Sequence, residues 1–300
     1  LYQDDEFTPS LGIPLRLVGT ELRAPAVSRS FFFGVPSTED STASSLHTTV
    51  TVERDLSDRW LATLMLHKSR NRLLGIADSY GYGIDDYGDT PLYSSFVGHD
   101  NDNWAGELRL DGRFDAFGQE HQLLVGVEKN RLDFDSWGGY GPPIGAANIY
   151  DGSLETAVSV PAHSLPPNYR GRDDGSNEGV YAQLLLGLRP QTRLLLGARY
   201  DRARQHTVFD GEFSDSDDEQ DDREVTGRIG LTQDLGENVT AYAVYAQSFN
   251  PVYARSQTEA LDAETGDGYE LGMKGEWFGG LFGATAAVFR QELDNRPIPD

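Results

Sequence analysis

Segments that alternate polar and apolar residues recur along this chain, and the connections between them alternate as strictly as the residues do, short and then long. The period of two marks strands near 45–54, 60–68, 104–114, 121–132, 178–189, 193–202, 223–234, 239–249, 268–277 and 281–292, with a strand remnant at 1–5. Tight connections stand at 55–59 (DLSDR), 115–120 (DAFGQE), 190–192 (PQT), 235–238 (LGEN) and 278–280 (FGG). Between these hairpins the chain runs through long segments, 69–103, 133–177, 203–222 and 250–267, with another at 6–44. Soluble sandwiches have turns of similar length at both ends, and irregular loops beyond about 15 residues are uncommon in them. Short turns on one rim and long loops on the other are the pattern of an outer-membrane β-barrel.

Composition removes other classes. The 300 residues carry 25 Lys and Arg against 48 Asp and Glu, a net charge of −23. Such a chain repels phosphate backbones, and no run of Lys and Arg offers a basic patch, so no nucleic-acid partner is expected. With no cysteine, neither a disulfide framework nor a zinc-thiolate site is available. The longest apolar runs, such as 184–188, fall far short of the roughly 20 residues of a membrane-spanning helix. Any crossing of a bilayer is therefore by strands. The mean hydropathy of −0.48 does not oppose this, because only alternate strand residues touch lipid. The first residues, LYQDDEFTP, lack a basic n-region, an apolar h-region and a Met, and the chain is expected to be a piece of something longer.

The faces of the strands agree with a barrel. In 104–114, Trp104, Leu108, Leu110 and Phe114 share one side, and Glu107, Arg109, Asp111 and Arg113 the other. In GYELGMKGEW at 268–277, Tyr269, Leu271, Met273 and Trp277 oppose Glu270, Lys274 and Glu276. Aromatic residues gather at both ends: Trp60, Phe114, Phe117, Tyr242, Trp277, Phe278 and Phe282 near short turns, Trp104, Tyr200, Phe249 and Tyr269 at the opposite ends. Such rings favour the two membrane interfaces. Ten steps separate Trp104 from Phe114, about 33 Å along a strand, or roughly 25 Å of height after tilting, the apolar band of such a barrel. The apolar set is expected to face lipid and the charged set the lumen.

The segments AYAVYAQSFNP at 241–251, LDAETGDGYELGMKGEWFGG at 261–280 and LFGATAAVFR at 281–290 resemble late barrel strands of the TonB-dependent receptors, particularly those for ferric siderophores. HQLLVGVE at 121–128 and YAQLLLGLRPQTRLLLGARYD at 181–201 are similar to its middle strands, and 11–35 with DRW at 58–60 to an external loop followed by a strand and turn. The resemblance implies an antiparallel transmembrane β-barrel in the Gram-negative outer membrane, in contact with its lipid and lipopolysaccharide, and energy-coupled import of a ferric siderophore. It further implies a plug domain and a TonB-contacting region, neither of which this sequence resembles. Against the family's barrel of about 22 strands, residues 1–300 are expected to be a partial, open barrel of ten or eleven, lacking the plug and the C-terminal strands. Two other readings are a passive porin-like channel and a soluble acidic β-rich binding module.

No catalytic set is visible. The histidines at 47, 67, 99, 121, 163 and 206 form no HExxH, and neither a GxSxG elbow nor a phosphate-binding GxxxxGK occurs, so an enzyme is not expected and no cofactor is called for. DNDNWAG at 100–106 and DFDSWGG at 133–139 lack the glycine and glutamate of a calcium loop and read as polar strand ends. The run DSDDEQDD at 215–222 reads as an external loop, either simply solvated or holding a divalent cation. The candidate ligand contacts are aromatics expected on external loops, Tyr80, Tyr82, Tyr87, Tyr93, Trp137, Tyr140, Tyr150 and Tyr253. Their rings can stack on the partly apolar surface of a ferric chelate while offering a hydroxyl or N–H, or they can simply pack the loops together.

Overall fold

Fourteen strands and no helix are found among the described residues, which in this computed structural model are 2–7, 16–18, 21–23, 27, 41–80, 84–151, 153–155, 166–252 and 262–296. They are β1 (Tyr2–Phe7), β2 (Arg16–Val18), β3 (Glu21–Arg23), β4 (Ser41–Ser57), β5 (Trp60–Tyr80), β6 (Asp89–Ala116), β7 (Gln119–Asn148), β8 (Leu154–Glu155), β9 (Tyr169–Arg189), β10 (Thr192–Gly211), β11 (Asp215–Asp234), β12 (Val239–Asn250), β13 (Glu264–Trp277) and β14 (Phe282–Asp294). Twelve form one antiparallel sheet in the order β1-β4-β5-β6-β7-β9-β10-β11-β12-β13-β14, with β8 paired to β7, while β2 and β3 pair separately. From β4 to β14, apart from the short β8, consecutive strands are neighbours, so the five short turns all lie on one rim. The turn of DAFGQE is a two-residue loop with Phe117 at φ 51° and Gly118 at φ 73°. Positive φ at both central residues gives the twist that suits a right-twisted hairpin.

The strands are much longer than their apolar alternation. The expected loops 69–103, 133–177 and 203–222 are largely strand, because β5 runs on to Tyr80, β6 begins at Asp89, β7 reaches Asn148 and β9 begins at Tyr169. DNDNWAG and DFDSWGG lie within β6 and β7, not at strand ends. DSDDEQDD is not a loop: from Asp215 onward it is strand, paired residue by residue with β10. Tyr80, Tyr93, Trp137 and Tyr140 are likewise strand residues. The physical reason is solvent. Above a membrane both faces of a ribbon are wet, so the hydrophobic alternation vanishes while backbone pairing persists. At about 3.3 Å per residue the 30 residues of β7 extend roughly 100 Å, several times the apolar band.

Register fixes the two faces. Leu64, Leu108, Val127, Val180, Tyr200 and Val225 stand opposite one another across β5, β6, β7, β9, β10 and β11. Ile229, Tyr245 and Tyr269 form another row on the same face, with Leu271 and Met273 on the same side of β13. Of the apolar residues expected to meet lipid, Trp104, Leu108, Tyr269, Leu271 and Met273 are exposed, Leu108 by 54% and Leu271 by 58%, while Leu110, Phe114 and Trp277 are half-buried. A soluble protein would have covered so wide an apolar surface. Arg109, Arg228, Glu270 and Lys274 are on the opposite face, as is the Tyr242 ring, whose hydroxyl donates to Glu270. Tyr242 is therefore not one of the lipid-facing aromatics.

Most of the buried apolar residues sit not in the band but at the far tip of the β6–β7 ribbon, where Ile84, Leu92, Phe96, Ala147 and Ile149 are enclosed. Asn148 locks this knot, its Nδ2 donating to the Tyr87 carbonyl at 2.9 Å and to Asp89 Oδ1 at 2.8 Å while its Oδ1 accepts from the Tyr150 N–H at 2.9 Å. Below the tip the β6–β7 register slips at Tyr93, where β7 carries extra residues around Pro142. Proline has no N–H for the ladder, so a bulge there loses little.

Candidate functional site

Within the band the polar face is crossed by side chains that lie flat over glycines. Tyr181 of β9 passes over Gly126 of β7 to donate to Glu107 of β6; a Cβ on Gly126 would come within 2.3 Å of the Tyr181 ring. Arg199 of β10 passes over Gly179 to Glu128 and also holds Asp201 at 2.6 Å. Arg228 of β11 repeats the device over Gly197 towards Gln183. Each long side chain spans two strands, satisfying charges that cannot face lipid.

Above the band the arrangement of charge changes. On the face that continues the lipid-facing row, Arg70 donates to Asp100 at 2.8 Å, Arg72 to the same carboxylate at 2.8 Å, Arg131 to Asp133 at 2.8 Å and Arg172 to Asp174 at 3.1 Å. Lys68 pairs with Asp102, and Arg202 with Asp221. The guanidinium of Arg70 holds the Asp100 carboxyl below its usual range. The DSDDEQDD run is divided by the strand: Asp215, Asp217, Glu219 and Asp221 go to this outer face, Asp218 and Asp222 to the other. Among the described residues no group of three or more His, Cys, Asp or Glu is placed to hold a metal ion. Asp217 instead accepts from His206 Nε2 at 2.7 Å and raises the imidazole's pKa. The pair is complete below the ordinary histidine pKa and is lost as pH rises through the raised value. In Asp217→Asn, the NMR titration midpoint of His206 should fall back towards that ordinary value; an unchanged midpoint would remove Asp217 as the cause.

The inner face above the band is built mainly from amides, hydroxyls and rings, with carboxylates at Asp173, Asp218 and Asp222 and, among the described residues of β4–β11, no Lys or Arg. Across β5, β6, β7, β9, β10 and β11 one row reads Asn71, Asn101, Phe134, Asp173, Thr207, Asp218, and the next Ser69, Asn103, Leu132, Gly175, Gln205, Gln220. A recess of about 300 Å³ lies between them, lined by Asn103, Asn130, Leu132, Phe134, Asp173, Asn177 and Gln205. His99 meets Phe134 in a tilted pair at 5.7 Å, and further up Tyr169 stacks against Phe209 at 6.0 Å. Burial pushes the Tyr169 phenol up. Asn168 ties this end together, accepting from the Tyr140 N–H at 2.6 Å and donating to Glu212 at 3.1 Å.

The expected aromatic contacts are not one cluster. Tyr140 is on the inner face and 70% exposed. Trp137, three residues earlier, is on the outer face, its ring across Gly98. Tyr87 and Tyr150 share the tip, Tyr93 is at the bulge and Tyr80 ends β5, whereas Tyr82 and Tyr253 lie outside the described residues. His99, Phe134, Tyr169, Phe209 and the amides were missed, although charged and uncharged residues alternate along 99–104 and 129–135.

An open antiparallel sheet with an apolar outer band, a charged inner face and ribbons rising beyond it defines the wall of an outer-membrane barrel. The family model for the TonB dependent receptor-like β-barrel matches residues 2–300, and the chain belongs to that family, whose members are transporters of the outer membrane and not enzymes. It is 30% identical over 287 residues to the metal-pseudopaline receptor CntO of Pseudomonas aeruginosa (strain UCBPP-PA14), covering 90% of this chain and 39% of CntO. It is 30% identical over 211 residues to the ferric-pyoverdine M114 receptor PbuA of Pseudomonas sp. (strain M114), covering 67% of this chain and 26% of PbuA. The ferripyoverdine receptor of the Pseudomonas aeruginosa outer membrane superposes with a TM-score of 0.78 at 20% identity, covering 98% of this chain and 39% of that one. The chain thus spans about two-fifths of CntO's length. Family membership rules out the soluble binding module.

Proposed function

We propose that this chain is one sector of the wall of a receptor that imports a ferric siderophore across the outer membrane by energy-coupled transport. The observation that carries the reading is the inner surface of β5–β11 above the band, where rings at Phe134, Tyr169 and Phe209 alternate with amides around an open recess. Flat rings offer stacking area to a chelate's delocalised ligands and amides offer both donors and acceptors, the mix of a small-molecule site. Names of the relatives support the ligand class, since those proteins are receptors for ferric pyoverdine or for a metal complex. Tyr140 joins this surface directly, while Tyr87 and Tyr150 contribute only where the ligand is approached from the tip of the β6–β7 ribbon. TonB would act on a part of the protein outside this chain, and the outer face would meet lipid and lipopolysaccharide.

The test is uptake of radiolabelled iron, presented as siderophore complexes, by cells carrying or lacking the whole gene. Uptake should need the gene and should stop when the proton-motive force is collapsed or TonB is deleted. Uptake that survives both treatments would identify a passive channel instead.

A further inference from the structure

The placement of cations changes abruptly at the upper edge of the membrane band, and lipid does not require the change. Inside the band the cations of the polar face, Arg109, Arg199, Arg228 and Lys274, turn inward because the other side is hydrocarbon. Above it both faces are wet, and either would solvate an arginine. Yet among the described residues of β4–β11 above the band, every Lys and Arg is on the outer face, where most pair with carboxylates. The inner face of the same rows holds amides, hydroxyls, rings, the imidazoles of His47, His67 and His99, and the carboxylates Asp173, Asp218 and Asp222. Burial pushes the Asp222 carboxyl up, the response of a group with no cation beside it.

Resting on the receptor reading above, we infer that this vestibule selects ferric chelates that are uncharged or net positive, of the tris-hydroxamate type, and disfavours the anionic tris-catecholate type. Three singly charged hydroxamates neutralise iron(III), whereas three doubly charged catecholates leave three negative charges on the complex. Above the band the described part of this wall carries carboxylates and no fixed cation, which focuses a negative potential into the space it faces, repelling the second complex and tolerating the first. The amides serve either protonation pattern of ligand oxygen, so they supply fit without charge preference. Specificity then comes from the repulsive element as much as from contacts.

The test uses the purified full-length receptor and two probes, an uncharged iron(III) tris-hydroxamate and an iron(III) tris-catecholate, with binding read by quenching of intrinsic fluorescence. The hydroxamate should bind at least ~10-fold tighter at low salt, the lower end of what a cleft of one sign does to a charged ligand. Asn177→Lys and Gln205→Lys, which place cations on the recess, should raise catecholate affinity relative to hydroxamate affinity several-fold, and in a salt-dependent way. Equal or tighter catecholate binding by the unaltered receptor overturns the charge inference and leaves the receptor reading standing. Binding of neither probe overturns both.

Discussion

Leu108→Arg should destabilise the folded receptor by about 1–2 kcal/mol, between the ~2–4 kcal/mol of an arginine facing lipid at the bilayer middle and the ~0–1 kcal/mol near its edge, since Tyr200 shares its row and Lys129 and Arg202 stand on the same face one row above. Leu108 lies between the Trp104 and Phe114 ends of the band, is 54% exposed, and stands in register between Leu64 and Val127. Nothing in the protein covers it, so the penalty comes from hydrocarbon and not from a disrupted core. The adjacent Arg109→Leu should cost less than about 1 kcal/mol, because this guanidinium is on the wet face and its contact is a partly exposed pair with Asp111 at 2.9 Å. Denaturant titration of the full-length receptor folded into lipid vesicles measures both. A tolerant Leu108 beside a sensitive Arg109 would mean that the faces are reversed, and the membrane assignment would fall with them.

The contrast between these neighbours explains which parts of the fold were legible in the sequence. Lipid enforces apolar residues on one side and admits charge on the other, so the band segments of β6, β11 and β13 announce themselves by an apolar period of two. Above the band no such rule operates. There β11 begins as DSDDEQDD, which reads as a solvated loop from composition alone, yet Arg202 and Arg223 clamp Asp221 and His206 holds Asp217, so the strand continues. The period survived in another alphabet. Along 129–135 the charged Lys129, Arg131, Asp133 and Asp135 alternate with Asn130, Leu132 and Phe134, and along 99–104 Asp100 and Asp102 alternate with His99, Asn101 and Asn103. Searching for charged against uncharged residues, and not only for apolar against polar, would have extended these strands.

The candidate site was less legible, for a related reason. Choosing aromatics by type and by presumed loop position found Tyr140 but placed Trp137 beside it, and only register shows that the two are on opposite faces. The inner surface depends on residues far apart in sequence, Asn103, Phe134, Asn177 and Gln205, that become neighbours through four strands. Each is an unremarkable residue in its own segment. The glycines under Tyr181, Arg199 and Arg228 carry the same lesson: Gly126, Gly179 and Gly197 read as weak strand formers until the ring or guanidinium lying across each is known.

The 300-residue chain alone should fail to form a compact, heat-modifiable barrel in detergent or lipid. Both margins of its sheet are open among the described residues: β1 has a partner only in β4, and β14 only in β13. All 13 residues of β14 are exposed. In an antiparallel edge strand every second N–H and C=O points away from the partner, and each such group left unpaired in hydrocarbon costs several kcal/mol. A margin of this length is therefore incompatible with a bilayer until another strand covers it. Hydrogen exchange followed by mass spectrometry measures the consequence. In the isolated chain the outward amides of 282–294 should exchange within the shortest labelling time while those of β9 and β10, paired on both sides, stay protected. In the full-length receptor, segment 282–294 should be as slow as β9. Slow exchange at 282–294 in the isolated chain would instead mean that β14 closes onto β1, and the sheet would be a small complete barrel, with a lumen too narrow for the vestibule described above.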